Sequence, residues 1–362
     1  MKRLGGLWPA ITAWDNLYRA WRQARAGKRN RPSVVRFGQN LEAELYDLQT
    51  ELRQGSYRPG RYRLFTLYER KPRQIAAAPF RDRVVHHALM NLVEPPIDRR
   101  FIHDSYACRR NKGVHKAVDR YQHWSRRYRY ALKIDIASYF ASIDHALLKA
   151  QLRRVLKDRQ TLNLLDAIID GSPPPAQPPS YFPGDDLLTP LERGRGIPIG
   201  NLTSQFFANF YLNGLDHFIK QELKCRAYLR YVDDLILLAN DKADLWAWRE
   251  AIDDHLAGLR LRLHPRKCRL APVHCGLDVL GYRVWPHRRQ LRNDNGHRFA
   301  RKLSRMAAAW RRGKYDFDDL RASIASWVGH ARHGDSEALR EQIFARVAFQ
   351  RPAQDNPMVD RA

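Results

Sequence analysis

Hydrophobic and polar positions along this chain follow two periods, and the switches between them outline its elements. Helical spacing runs over 10–27, with Trp14, Leu17, Trp21 and Ala24 on one face, and again over 36–53 through Phe37, Leu41, Leu45 and Leu48. The turn cluster Gly55-Ser56-Tyr57-Arg58-Pro59-Gly60 separates these from an extended stretch at 62–79 and a helix at 81–94, which Pro95-Pro96 is expected to end. A strand follows at 129–136, then helices at 143–156 and 160–170. Gly171-Ser172-Pro173-Pro174-Pro175 opens a Pro-rich excursion to 195. It reads as a surface insertion, because helix-forming sequence resumes directly after it at 202–224. The pattern then gives a hairpin at 226–239, a helix at 243–260, a strand pair within 268–285, and helices at 297–312, 316–333 and 335–348. The last dozen residues, with Pro352 and Pro357, are expected to fray. No internal repeat is present. Helices mixed with separate antiparallel strands predict an α+β central lobe and a small helical bundle after it.

The hairpin at 226–239 breaks its own pattern. Asp233 and Asp234 stand between Ala227-Tyr228-Leu229 and Leu235-Ile236-Leu237-Leu238-Ala239. Burying an unpaired charge costs several kcal/mol, so something positive must meet these acids, and a divalent metal ion does so most simply. The strand Leu132-Lys133-Ile134-Asp135-Ile136 carries a third acid in the same setting. A strand-borne acid plus a hairpin acid pair is what two-metal phosphoryl transfer requires: two Mg²⁺ ions about 3.5–4 Å apart serve the attacking and leaving oxygens. Mg²⁺ takes a few carboxylates and keeps its other positions for water and phosphate.

Charge narrows the substrate. Lys and Arg total 64 against 38 Asp and Glu, a net charge of +26. Such an excess points to a polyanion, with nucleic acid favoured over an anionic membrane. No apolar run reaches the roughly 18 residues of a spanning helix. Pro9 and Asp15 interrupt any signal-peptide core, and the expectation is a soluble, cytoplasmic protein with no membrane partner. The cysteines are Cys108, Cys225, Cys268 and Cys275, with no Cys-x-x-Cys pair. His264, Cys268, His274 and Cys275 match no usual zinc-finger spacing and read as ordinary residues. The basic stretch Arg25–Arg31 reads as a loop, with contact to structured RNA favoured over a solvated surface.

Tyr231-Val232-Asp233-Asp234 resembles the Tyr-x-Asp-Asp box of reverse transcriptases, and other segments follow in that family's order. Pro79 to His87 is similar to the first fingers motif, Ser105 to Gly113 to the second, and Asp135 to Asp144 to the first palm motif. Leu263-His264-Pro265-Arg266-Lys267 fits the lysine-bearing motif, and Leu280-Gly281-Tyr282 the primer grip. The likeness covers about 35–290. Where most relatives carry Gln-Gly-x-x-x-Ser-Pro, this chain reads Ile199-Gly200-Asn201-Leu202-Thr203-Ser204-Gln205. That variant resembles the reverse transcriptases of diversity-generating retroelements. Those enzymes copy a template-repeat RNA into cDNA with errors at adenines, alongside a small basic accessory protein, the accessory variability determinant.

The resemblance implies a right-hand polymerase fold: an N-terminal helical extension at 1–35, fingers and an antiparallel palm sheet at 36–290, and a helical thumb at 291–362. It implies two Mg²⁺ ions on Asp135, Asp233 and Asp234 with the Ile136 carbonyl, and Lys267 as the acid that protonates pyrophosphate. Lys71, Arg73 and Arg81 would meet the dNTP triphosphate, beside Gln205. Phe140 would be a steric gate against ribose. Ile199 cannot make the polar contact of a Gln, which predicts weakened selection opposite adenine. Arg109, Arg110, Tyr231, Gly281, Tyr282, Arg301 and Arg305 would contact primer and template, holding a cDNA/RNA hybrid by its phosphates. The rival readings are a phage-defence or group II intron-like reverse transcriptase, and a non-catalytic RNA-binding scaffold with a polymerase fold.

Overall fold

The computed structural model describes residues 3–68 and 72–349. Lys71 and the C-terminal stretch expected to fray lie outside the described residues. Side chains that compete for backbone groups explain where the fold departs from simple spacing. The first helical stretch splits into Trp8–Ile11 and Trp14–Ala24. The Trp8 carbonyl accepts both the Thr12 N–H at 3.0 Å and the Thr12 hydroxyl at 3.1 Å, and the Asn16 amide donates to the Ile11 carbonyl at 2.9 Å where the first helix ends. The second stretch splits at Asn40 into Pro32–Gln39 and Leu41–Gln54. Pro95-Pro96 does not end its helix, which runs Phe80–Asp98 with both prolines inside. An interior proline costs about 3 kcal/mol. Val93 and Ile97 are fully buried and return about 1.5–3 kcal/mol each, which carries the helix through. The expected helix at 202–224 is Leu202–Tyr211, Asn213–His217 and one π-helical turn, Phe218–Glu222. The helix Val114–Ser125 has no counterpart in the periodicity reading.

Strands β1 (Arg63–Tyr68) and β2 (Pro72–Ala77) pair antiparallel from Arg63↔Ala77 to Tyr68↔Pro72, and β1 is exposed along its whole length. β3 (Tyr130–Asp135), β4 (Tyr228–Tyr231), β5 (Asp234–Ala239) and β6 (Arg269–Pro272) form a four-stranded sheet in the order β4-β5-β3-β6. β5 is buried from Leu235 onward, as its unbroken apolar run requires. β7 (Leu277–Val279), β8 (Tyr282–Val284) and β9 (Arg289–Leu291) form an antiparallel meander, one strand more than the expected pair. Its first turn places Leu280 at φ +48° and Gly281 at φ +98°, as a two-residue type I′ hairpin loop demands.

The chain folds into two compact units. The first comprises the residues up to Gly113, Leu132–Leu237 and Lys242–Arg269. It includes the N-terminal helices: Trp14–Ala24 packs on Phe80–Asp98, and the Asn16 amide donates to the Ala88 carbonyl at 3.0 Å. The second comprises Val114–Ala131, Leu238–Asp241 and the chain from Leu270 onward. It therefore begins before residue 291 and adds Val114–Ser125 and the β7–β9 meander to the C-terminal helices. The architecture is α+β with antiparallel strands. Among the described residues, no helix is long and apolar enough to cross a membrane.

In the second unit, Phe299 of the helix Asn293–Arg311 stacks on Trp327 of Phe317–Ala331 with ring centroids 3.9 Å apart, and Phe344 meets both edge-on. The Trp327 indole N–H donates to Asn295 Oδ1 at 2.9 Å. Trp327→Ala should cost about 3–5 kcal/mol. Trp327→Phe, which loses mainly the hydrogen bond, should cost about 1 kcal/mol. Urea unfolding followed by circular dichroism ranks the two; equal costs would show that the stack contributes little.

Candidate active site

The three acids converge because the sheet places the end of one strand beside the turn of another pair. Tyr231↔Asp234 closes the β4–β5 hairpin and leaves Val232 and Asp233 as its loop. Val232 sits at φ +57°. A β-branched residue in the left-handed region costs about 1–3 kcal/mol and persists only where its surroundings over-determine it. The surroundings are bonded to that purpose. The Ile136 N–H, just past β3, donates to the Asp233 carbonyl at 3.3 Å. The Asp135 carbonyl accepts from the His264 N–H at 2.7 Å, and the Arg262 carbonyl from the Ala137 N–H at 2.9 Å.

Two lysines meet two of the carboxylates. Lys267 Nζ lies 2.8 Å from Asp135 Oδ1, and Lys133 Nζ 3.1 Å from Asp234 Oδ1. Asp233 carries the electrostatic load. Burial first, then the charges of Asp135 and Asp234, push its carboxyl up to about 6. Among the described residues no group of three or more His, Cys, Asp or Glu is arranged to hold a metal ion. Mg²⁺ does not need one, since it binds through one or two carboxylates and completes its shell with water and phosphate. Carboxylate oxygens, with the Asp233 charge left unrelieved, are the donor type such a cation takes, and Asp135, Asp233 and Asp234 are the acids that supply them here.

A cavity of about 840 Å³ opens elsewhere in the first unit, between the N-terminal helices, the β1–β2 ribbon and the start of the helix Leu202–Tyr211. Lys28, Arg31, Arg36, Arg61, Arg63 and Arg83 line it, and none of its lining residues is acidic. Burial, then Arg83 and Arg31, lowers the Lys28 ammonium; burial, then Arg63 and Arg31, lowers the Arg83 guanidinium. His86 is buried at its wall with Nε2 unpartnered, and burial before any neighbouring charge pushes it down to about 3. The loop beneath is fastened to β2. Asn201 Nδ2 donates to the Ala76 carbonyl at 3.0 Å and its Oδ1 accepts from the Ala78 N–H at 3.4 Å. The Ile199 carbonyl accepts from the Ala76 N–H at 3.3 Å. Gly200 (φ +110°) lets this happen, because a Cβ there would meet Ile75 Cγ2 at 3.1 Å.

Other expected site residues scatter. Gln205 is exposed on the cavity wall and Ile199 is half-buried. Half-buried Phe140 accepts from the Ile197 N–H at 2.8 Å, while Tyr139 turns inward and donates to the Ala208 carbonyl. Arg73 is exposed on β2, Arg110 is exposed, and Tyr231 is half-buried at the hairpin loop. Arg301 and Arg305 are exposed on the helix Asn293–Arg311, and Gly281 lies in the β7–β8 turn.

Three expected contacts are spent within the fold. Arg81 pairs with Glu51 at 2.8 Å, and it is Arg83 that reaches the cavity. Arg109 forks onto Asp98 at 2.6 and 3.2 Å and donates to the Ile102 and Ser105 carbonyls. Tyr282 is fully buried and donates to the His330 carbonyl at 2.8 Å. Lys133 is the site residue that residue type alone does not single out, although i and i+2 on a strand share a face and it stands two positions before Asp135. Arg230 has no local signal that marks it.

Residues 67–284, more than half of the chain, match the family model described as reverse transcriptase (RNA-dependent DNA polymerase). The chain is also similar to protein YkfC of Escherichia coli (strain K12), 27% identical over 284 residues that cover 67% of this chain and 72% of that protein.

The load on Asp233 sets a pH dependence. With its folded carboxyl near 6 against an ordinary 3.8, the native state binds the extra proton between those values. Stability therefore falls as pH rises through that window and stays lowered above it. In chelator, Asp233→Asn should raise stability at pH 7.5 by about 1–3 kcal/mol, given about 1.4 kcal/mol per pKa unit. The gain should vanish below about pH 4. Thermal unfolding of both proteins across pH 4–8 measures it; a gain independent of pH would refute the assignment.

Proposed function

Because the chain belongs to the reverse transcriptase family, we propose that Asp135, Asp233 and Asp234 are the catalytic centre of its RNA-directed DNA synthesis. The observation that carries this is the convergence of three acids at which Asp233 alone lacks a lysine partner. Mg²⁺, when bound, supplies charge neutralisation at the phosphates and a lowered pKa for the primer hydroxyl. The Ile136 carbonyl would complete the ligand set. Lys267 holds a proton at Nζ, 2.8 Å from Asp135 Oδ1, and is the donor for departing pyrophosphate. Phe140 excludes a ribose 2′-hydroxyl. Lys71, and Arg73 of β2, meet the triphosphate, whose developing charge calls for cations. In the right-hand reading, this ribbon and the helix Phe80–Asp98 are fingers, β3–β5 are palm, and the C-terminal helices are thumb. Arg110, Tyr231, Gly281, Arg301 and Arg305 contact primer and template. The cavity, whose charged lining residues are all basic, suits template phosphates, which contribute affinity without sequence preference.

The finer role we infer is that of a diversity-generating retroelement enzyme, making adenine-mutagenised cDNA from a template-repeat RNA with a small basic accessory protein. Support comes from Ile199 to Gln205, where an aliphatic side chain stands at a position that relatives fill with Gln. A site without a polar contact cannot reject a base for failing to make it.

Two measurements test these readings. Asp233→Ala should lower dNTP incorporation on a primed RNA in Mg²⁺ by about 10³-fold or more, since metal-held charge stabilisation is worth several kcal/mol. Wild-type-like incorporation would remove Asp233 from the chemistry. Ile199→Gln should cut misincorporation opposite template adenine roughly tenfold, the value of about one hydrogen bond. Errors opposite other bases should stay unchanged, and an unaltered adenine error rate would sink the retroelement reading of this residue.

A further inference from the structure

Arg230 belongs to β4, one arm of the acid-bearing hairpin, and neither its side chain nor that of its partner Asp216 is reached by solvent. Every N–H of its guanidinium is used. Nε donates to Asp216 Oδ1 at 2.8 Å and Nη2 to Asp216 Oδ2 at 2.6 Å, a two-pronged fork. Nη1 donates to Asn209 Oδ1 at 3.2 Å, and Nη2 to the Asn209 carbonyl at 3.2 Å. The remaining Nη1 proton goes to the Val232 carbonyl at 3.1 Å. The frame is fixed from outside as well: Tyr228 donates to Asp216 Oδ1 at 2.7 Å, and the Asn209 amide to the Ala107 carbonyl at 2.7 Å.

A buried ion pair seldom stabilises a protein more than apolar residues of the same volume, so stability alone does not explain this one. Its free end names another task. Val232 is the strained residue of the loop, and its carbonyl belongs to the peptide that leads directly into Asp233. The geometry points to Arg230 as a positioning residue for the reaction. Held rigid by Asp216 and Asn209, its guanidinium fixes the Val232 carbonyl and so aims the Asp233 carboxylate. A lysine is no substitute: its ammonium has three donors on a flexible stem and cannot span Asp216, Asn209 and Val232 as one planar group. This inference deepens the polymerase reading and rests on it.

The decisive variant is the volume-matched, uncharged pair Arg230→Met with Asp216→Leu. It leaves no lone buried charge and should keep a melting temperature close to the wild type. Three readouts separate positioning from bulk stability. Amide exchange at Val232 and Asp233 should quicken while the rest of β4 and β5 stays protected. Mn²⁺ binding to the nucleic-acid-free protein, followed by electron paramagnetic resonance, should weaken. Primer extension should lose on the order of 10- to 100-fold in kcat at nearly constant KM for dNTP, as a displaced reacting group does. A folded double variant with wild-type kcat and Mn²⁺ affinity overturns the proposal. Should the double variant not fold, Arg230→Lys decides. A fall in kcat at retained melting temperature supports positioning; unchanged kcat, or kcat falling only with stability, overturns it. A wild-type protein that binds Mn²⁺ but incorporates no dNTP would overturn the polymerase reading instead, and exchange and Mn²⁺ affinity would still judge Arg230.

Discussion

Like-charge repulsion among Asp135, Asp233 and Asp234 is the constraint around which the first unit is organised. Carboxylates do not gather in a half-buried hairpin unless the backbone compels them. Here β3, the β4–β5 turn and the 262–264 stretch are bonded to one another at the point where the acids meet. Lys267 and Lys133 relieve two of the three charges and leave the third. A third fixed lysine would have made a more stable protein with nothing left to attract a cation. The unrelieved charge and the left-handed Val232 are both costs, and both fall on the same two-residue loop, as strain at functional sites commonly does.

Much of this was legible in the sequence. Acids interrupting apolar runs are conspicuous, and β3 and the β4–β5 hairpin appeared close to where the alternation put them. The order of motifs named a family that the comparison with family models bears out. What stayed hidden depended on direction. Arg81 and Arg83 are two positions apart on a helix and so face nearly opposite sides; nothing in their composition tells which one meets Glu51 and which the cavity. Tyr282 has the right residue type for a surface contact, but its strand turns it into the core. Pro95-Pro96 reads as a stop until the burial of Val93 and Ile97 is counted. The Arg230–Asp216 pair was out of reach for a different reason, since its members are 14 positions apart on a strand and a helix whose packing no local pattern announces.

Two kinds of support hold the acid cluster and the basic cavity of the first unit. The acids rest on a saturated network in which each donor has an acceptor and little can shift. The cavity is the reverse, a concentration of cations with no acid among its lining residues and a buried imidazole nitrogen without a partner. One is finished before any ligand arrives; the other is complementary to an anion it does not itself contain. A nucleic-acid enzyme has use for both, because reacting atoms must be held still while a strand of varying sequence moves past.

The fastening of Asn201 and Ile199 to β2 joins segments more than 120 positions apart in the chain. Since β2 also carries Arg73, the backbone of residue 199 and a ribbon that faces solvent are fastened into one piece. A substitution at Ala76 or Ala78 that moved this strand would move the backbone of residue 199 with it, without touching its side chain. The backbone position of residue 199 thus depends on two stretches of sequence far apart in the chain, and a change in either is felt in the other.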